Sequence, residues 1–308
     1  MMKKYISPLL LLGAAMIWGF AFAAQDAASE VPPFALGFSR SIMATLFLIP
    51  IIVIFDRIGG SGRRLVSRRG IDLNRYELFG GMVLGAVLAA ASAFQQFGIN
   101  SGTDGGKAAF ITAMYVVLVP IYALALRKKA PFNVWISVAI AAVGFYFLCI
   151  RDGFSMVPSD ILVLMCSLIF PIHILVIDRL SPLCDGIRMS MVQFASCAAV
   201  NLILSLITEG GTHAHEAVFA NLGAVIFLGV GSSGIAYTLQ IIGQKGVNPA
   251  AASIILSLES VFGVLGTALL LHSKLELREY IGCGIVFLAV ILSQLEFPSR
   301  RTKNAGQS

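Results

Sequence analysis

Ten apolar runs, each long enough to cross a bilayer, divide this chain from end to end. A helix crossing about 30 Å of hydrocarbon needs roughly 17–25 consecutive apolar residues. Runs of that length occupy residues 8–26, 34–55, 77–98, 107–126 and 132–150, then 159–177, 188–207, 217–242, 250–271 and 278–296. Charged residues make up only 12% of the 308 and 57% are hydrophobic, more apolar surface than a water-soluble fold of this size can hide. An ordinary soluble enzyme, a disordered chain and a disulfide-stapled domain are thereby excluded. The expected fold class is an all-α integral membrane protein of ten transmembrane helices, with the lipid bilayer as its solvent. Lys3-Lys4 before an apolar stretch ending Ala21-Phe22-Ala23 has the flanks of a cleaved signal peptide, but its continuity with the ten-run pattern makes it span 1.

The net charge of +6 is a topology signal rather than a nucleic-acid footprint, because it collects in short clusters between spans. Of the 22 Lys and Arg, 17 fall on the side of the N-terminus, chiefly between Arg57 and Arg75 and at Arg127-Lys128-Lys129. Four (Lys107, Arg151, Lys274 and Arg278) fall on the other side, and Arg40 alone lies inside a span. The asymmetry places both termini in the cytoplasm of a multi-pass membrane protein, with no nucleic-acid partner. Cys149, Cys166, Cys184, Cys197 and Cys283 are scattered and odd in number, so they read as small packing residues with no disulfide framework or metal site. No cofactor motif is present, and the state expected is a monomer or homodimer.

Ten spans split into five plus five, residues 1–150 and 151–308, and an odd number per half inserts the second half upside down. Sliding the chain by 144 residues lays Gln96, Gly102 and Asp104 on Gln240, Gly246 and Asn248, and the spans that follow start and stop together. Inverted repeats of this kind are a recurring carrier design, with the substrate site near the midplane where the halves meet.

Polar groups inside the spans are costly and mark candidate sites. Trp18-Gly19 in span 1 and Phe170-Pro171 in span 6 superimpose after a slide of 152 residues, each about halfway along. An aromatic beside a helix-weakening residue at matching places in both halves points to a substrate site, with Gly19 and Pro171 as gating or kink positions. Trp18, Phe22 and Gln25 share one face of span 1 with Ala15. His173, alone among the histidines in mid-span, suits solute binding or proton transfer, or a bond to a carbonyl freed by Pro171. Spans 3 and 8 carry uncharged polar stripes, Ser92, Gln96 and Asn100 against Ser233, Tyr237, Gln240 and Gln244, suited to a neutral or zwitterionic solute. Ser190, Gln193 and Cys197 of span 7 are better read as inter-helix bonding groups. Glu259, deep in span 9, lies about 14 Å from the inner edge at 1.5 Å per residue, near the midplane. It is a proton or charge site, or else a structural anchor, and its partners by sequence are Arg40 or Lys107. Its mate under the 144-residue slide is Tyr115.

Gly229-Val230-Gly231-Ser232-Ser233-Gly234 spells a dinucleotide fingerprint, but it lies within an apolar span, where small residues let helices approach closely. His213 and His215 sit in an outer loop beside Glu209 and Glu216, a poor metal set. No nucleophile–base pair stands out, so the chain is not expected to be an enzyme; the reading from another class is a membrane-embedded enzyme or sensor without transport.

Taken together these residues resemble the drug/metabolite transporter superfamily, specifically the EamA-type ten-helix permeases. The resemblance rests on Ile17-Trp18-Gly19-Phe20-Ala21-Phe22, on Pro33-Phe34 with Arg40, and on Phe94-Gln95-Gln96 leading to Lys107-Ala108-Ala109-Phe110-Ile111-Thr112-Ala113. In the second half it rests on His173-Ile174-Leu175, Ala236-Tyr237-Thr238-Leu239-Gln240 and Ser257-Leu258-Glu259. That family often has Glu-Pro in span 9; Glu259 here precedes Ser260, which takes away the proline that would kink the helix. The resemblance implies a secondary transporter, an exporter of amino acids or other small metabolites by alternating access, and points at Trp18, Gln96, Tyr115, His173, Tyr237, Gln240 and Glu259. A proton-coupled multidrug exporter is the alternative, disfavoured because a cationic drug wants an acid pair or an aromatic cage.

Overall fold

The computed structural model describes residues 2–58, 66–67, 70–128, 130–149, 157–210, 214–270 and 276–295. Spans 1, 2 and 3 are single helices, α1 (Met2–Ala27), α2 (Pro33–Ile58) and α3 (Arg75–Asn100), with a two-residue antiparallel ladder between the last two. Span 4 is divided into α4 (Gly105–Ala113) and α5 (Tyr115–Ala125), and span 5 is α6 (Phe132–Cys149). Span 6 is α7 (Pro158–Leu180) and span 7 is α8 (Gly186–Thr208); the short α9 (Ala214–Ala220) leads into span 8. Span 8 runs through α10 (Leu222–Ile226), a π-helical stretch (Phe227–Tyr237) and α11 (Thr238–Gly243). Span 9 is divided into α12 (Pro249–Leu256) and α13 (Leu258–Leu270), and span 10 is α14 (Leu277–Gln294). Among the described residues nine of these are long and apolar enough to cross a membrane, and Phe132–Leu148 is a shorter apolar helix. The protein is therefore an all-helical, multi-pass membrane protein. Large apolar side chains such as Leu46, Phe55, Phe132 and Ile207 are exposed around the bundle, as lipid-facing residues are.

The slide of 144 residues has a local physical meaning. Gly102 and Gly246 have φ of 105° and 83°, which residues with a Cβ rarely adopt. Two residues later Asp104 and Asn248 turn their side-chain oxygens onto the first free N–H groups of α4 and α12. A left-handed glycine followed by an Asx cap thus starts both span 4 and span 9.

The packing repeats in the same way. Span 5 lies on span 10, span 2 on span 7 and span 4 on span 9. Span 3 packs on spans 6 and 7 as span 8 packs on spans 1 and 2, and span 1 meets span 9 as span 6 meets span 4. Exchanging one half for the other returns these same principal contacts. Glycines set the close approaches: a Cβ on Gly85 would lie 2.4 Å from the Gln193 carbonyl oxygen, and one on Gly229, its mate, 2.7 Å from Met43 Cβ. The Gly229–Gly234 stretch is accordingly a packing seam against span 2.

Polar ties join the halves at both ends of the bundle. At one end Arg188 pairs with Asp56 at 2.6 Å, and Lys128 pairs with Asp178. At the other, Lys107 pairs with Asp160 at 2.5 Å, and the Glu209 carboxylate accepts from the N–H groups of Phe34 and Ala35, capping α2. Lys129, Arg151, His213 and Lys274 lie outside the described residues.

Candidate functional site

Seven spans, 1, 2, 3, 4, 6, 8 and 9, surround a cavity between the two halves. Its wall is part aromatic. Trp18 faces Tyr237 with ring centroids 4.6 Å apart, and its indole N–H donates to the Ser232 carbonyl at 3.1 Å. Tyr237 is braced from behind by the edges of His173 at 5.7 Å and Phe194 at 5.6 Å. Across the cavity Tyr115 and Phe170 form a second pair at 6.4 Å.

Spans 4 and 9 are interrupted beside this space, at Met114 and Ser257. The two breaks are one residue out of register under the 144-residue slide. In span 9 serines compete for the backbone: Ser253 Oγ donates to the Ala250 carbonyl and Ser257 Oγ to that of Ile254, each at 2.8 Å. Such bonds three residues back are known to bend helices. Ser260 Oγ reaches across to the Ala109 carbonyl of span 4 at 3.1 Å, tying the two broken spans together. The interruption therefore forms without the proline that the sequence lacks. Spans 1 and 6, where the sequence carries Gly19 and Pro171, run unbroken.

Two buried charged groups face the cavity from different sides. Arg40 donates from Nε to Ser233 Oγ at 2.9 Å, from Nη1 to Gln25 Oε1 at 3.2 Å and from Nη2 to Ser232 Oγ at 3.0 Å. All three acceptors are neutral, and among the described residues no carboxylate lies within ion-pair distance. Glu259 is 5% exposed, and its Oε1 has no hydrogen-bond partner; the same holds for Tyr115 Oη and Gln240 Oε1 nearby on the wall. The Tyr115 hydroxyl is turned toward Glu259 without closing a hydrogen bond. Neither partner expected for Glu259 from the sequence is used, since Lys107 holds Asp160 and Arg40 is engaged by Gln25 and the two serines. Spans 1, 2 and 8 thus form a pole rich in donors, and spans 4, 8 and 9 one rich in acceptors.

Of the residues singled out by sequence, Trp18, Tyr115, Tyr237, Gln240 and Glu259 lie on the cavity wall. Gln96 and His173 are buried behind it. Gln96 donates to the Gln25 carbonyl at 3.2 Å and to Asn100 Oδ1 at 2.8 Å, and His173 Nε2 meets Gln193 Oε1 at 3.1 Å. Gly19 sits where spans 1 and 9 touch: a Cβ there would come within 2.5 Å of Phe262 Cβ and 2.7 Å of the Gly263 nitrogen. Pro171 is buried within α7, away from the wall. Ser190 of span 7 bonds Thr238 of span 8 at 2.7 Å, an inter-helix bond as expected. Gln95 and Thr112, joined at 2.9 Å, line the cavity but belong to no polar stripe visible in the sequence. Arg40, read from sequence as an ion-pair partner, is instead a wall residue; its position as the sole basic side chain within a span was the available signal.

The EamA-like transporter family matches this chain twice, over residues 6–150 and again over 157–295. An uncharacterized transporter of Archaeoglobus fulgidus is 29% identical over 295 residues, covering 95% of this chain and 87% of its own length. A protein of known crystal structure superposes with a TM-score of 0.72 at 16% identity, over 93% of this chain and 96% of the other, a likeness of fold.

Proposed function

The chain belongs to the EamA-like transporter family, and from that premise we propose that it is a secondary carrier exporting small metabolites such as amino acids. Export proceeds by alternating access across a bacterial inner membrane, with both termini in the cytoplasm. Five crossings in each half, residues 1–150 and 151–308, set the halves antiparallel, so that rocking one against the other exposes a central site to either side in turn. The observation that carries this reading is the cavity between the halves, walled by aromatic rings and polar groups, Arg40 and Glu259 among them, and flanked by two interrupted spans.

Trp18, Tyr115 and Tyr237 supply the apolar wall for the solute and Gln240 a carbonyl for its donors. Gln96 and His173 act one layer out: Gln96 holds the backbone of Gln25, and His173 supports the Tyr237 ring. Gly19 permits the close contact of spans 1 and 9, and Pro171 lies in the helix that carries Phe170 to the wall. Glu259 is the proton site: a carboxyl in a low-dielectric cavity, with no salt bridge among the described residues, gains or loses its proton as water reaches it from either side. No catalytic step is assigned to any of these residues.

The test is flux. Purified protein is reconstituted into liposomes loaded with labelled amino acids, with and without an imposed pH gradient. Efflux above that of protein-free liposomes is expected, accelerated by the gradient, with Gln240→Ala slowing it about tenfold and Glu259→Gln removing the response to the gradient. Efflux equal to that of empty liposomes for every solute would overturn the carrier reading.

A further inference from the structure

We propose that the cavity selects dipolar solutes, with Arg40 as the receptor for a carboxylate and the Glu259–Gln240–Tyr115 cluster as the receptor for an ammonium group. The inference rests on the carrier reading and goes beyond it by assigning each end of the solute to a named group.

The argument begins from the donors of Arg40. A guanidinium has five N–H groups, and three of these are engaged by Ser233, Gln25 and Ser232. One N–H on each terminal nitrogen is left, two donors open to a carboxylate. A buried guanidinium with neutral acceptors alone keeps its full charge uncompensated, a costly state that an anionic solute would relieve. Its surroundings hold it in place for that role. Ser232 and Ser233 lie in the π-helical stretch of span 8, and Trp18 bonds the Ser232 carbonyl, so the cation is fixed by spans 1, 2 and 8 together.

The other pole is complementary. Glu259 Oε1 and Gln240 Oε1 are buried acceptors without a donor, and Tyr115 Oη beside them is also unpartnered. Three orphaned oxygens on one wall are a poor structural arrangement and a good socket for an ammonium group, whose three N–H donors they can share. Tyr237 lies between, within electrostatic reach of both Arg40 and Glu259, and with Trp18 presents an apolar surface for whatever links the two charged ends. A solute bearing only a cation would leave Arg40 uncompensated and bring like charge into the same cavity. The alternative of a cationic-drug exporter is therefore disfavoured by Arg40.

The experiment uses the full-length protein in detergent. Thermal unfolding is followed with each of the twenty protein amino acids, and each one that stabilises the fold is compared with its decarboxylated amine and its deaminated acid. At least one amino acid is expected to raise Tm, with both single-charge analogues about tenfold or more weaker. Arg40→Gln should erase the preference over the amine, and Glu259→Gln the preference over the acid. If Arg40→Gln does not fold, Arg40→Lys, which keeps the charge and loses the fork, should narrow the same ratio. Absence of stabilisation by any amino acid, an amine binding as tightly as its parent, or an unaltered ratio in the Arg40 variants would overturn the proposal. Counterflow of the same compounds in liposomes separates the two readings. Charge-dependent binding without movement would overturn the carrier and keep the two poles. Equal movement of amino acid, amine and acid would overturn the poles and keep the carrier.

Discussion

Spans 1 and 6 contain the residues that weaken helices and stay whole, whereas spans 4 and 9 lack an obvious breaker at the point where they part. Gly19 and Pro171 sit at matching places in the two halves, yet α1 and α7 continue through them without interruption. Met114 and Ser257 interrupt their spans at nearly matching places, with the nearest proline of span 4 at Pro120 and none beside Ser257. Inside a membrane a proline costs one backbone bond, which neighbouring helices and side chains readily replace. An interruption needs competing partners for several carbonyls at once, and span 9 has them in Ser253 and Ser257. In span 9 a cluster of hydroxyls therefore accompanies the break, whereas span 4 parts at Met114 without one.

The largest test of that contrast is Gly19→Leu. The side chain would be driven into Phe262 and the Gly263 backbone, so a loss of about 3 kcal/mol or more is expected. Monodisperse yield and Tm in detergent measure it, and wild-type stability would show that the span 1–9 contact is loose. Tyr237→Ala comes next, at about 3 kcal/mol, because the ring touches Trp18, Phe194 and His173. A Tm within a degree of wild type would mean that this aromatic wall bears little packing. Removing both Ser253 and Ser257 hydroxyls (Ser253→Ala with Ser257→Ala) should change stability by only about 1 kcal/mol while slowing labelled-solute efflux severalfold, as span 9 regains a continuous helix. Unchanged efflux would sever the break from transport. Pro171→Ala should do least, under about 1 kcal/mol with efflux intact; a larger effect on either would restore Pro171 as a hinge.

The candidate wall residues were reached from sequence by different routes: Gln240, Tyr237 and Glu259 as polar groups inside a span, Trp18 as an aromatic beside a glycine repeated in the other half, and Tyr115 as the mate of Glu259 under the 144-residue slide. All five lie on the wall. The first of these routes also selected Gln96 and His173, which satisfy part of their polarity one layer behind it, because helical spacing gives a side chain's direction but not which neighbour stands there. Gln95 shows the converse. Adjacent to Gln96 and on a different face, it reaches Thr112 of span 4 and the cavity; which neighbour stands on that face was not legible from span 3 alone.

Hydropathy and charge, both local to a dozen or two residues, determined the number of spans, and the 144-residue slide already held the glycine-and-cap starts of spans 4 and 9. These follow from transfer free energies and backbone sterics that act within one segment. The neutral partners of Arg40 and the placing of Tyr115 rather than a basic group beside Glu259 were decided only by the tertiary structure. Each depends on which of several polar groups, separated by as many as 193 residues in the chain, arrives within 3 Å first.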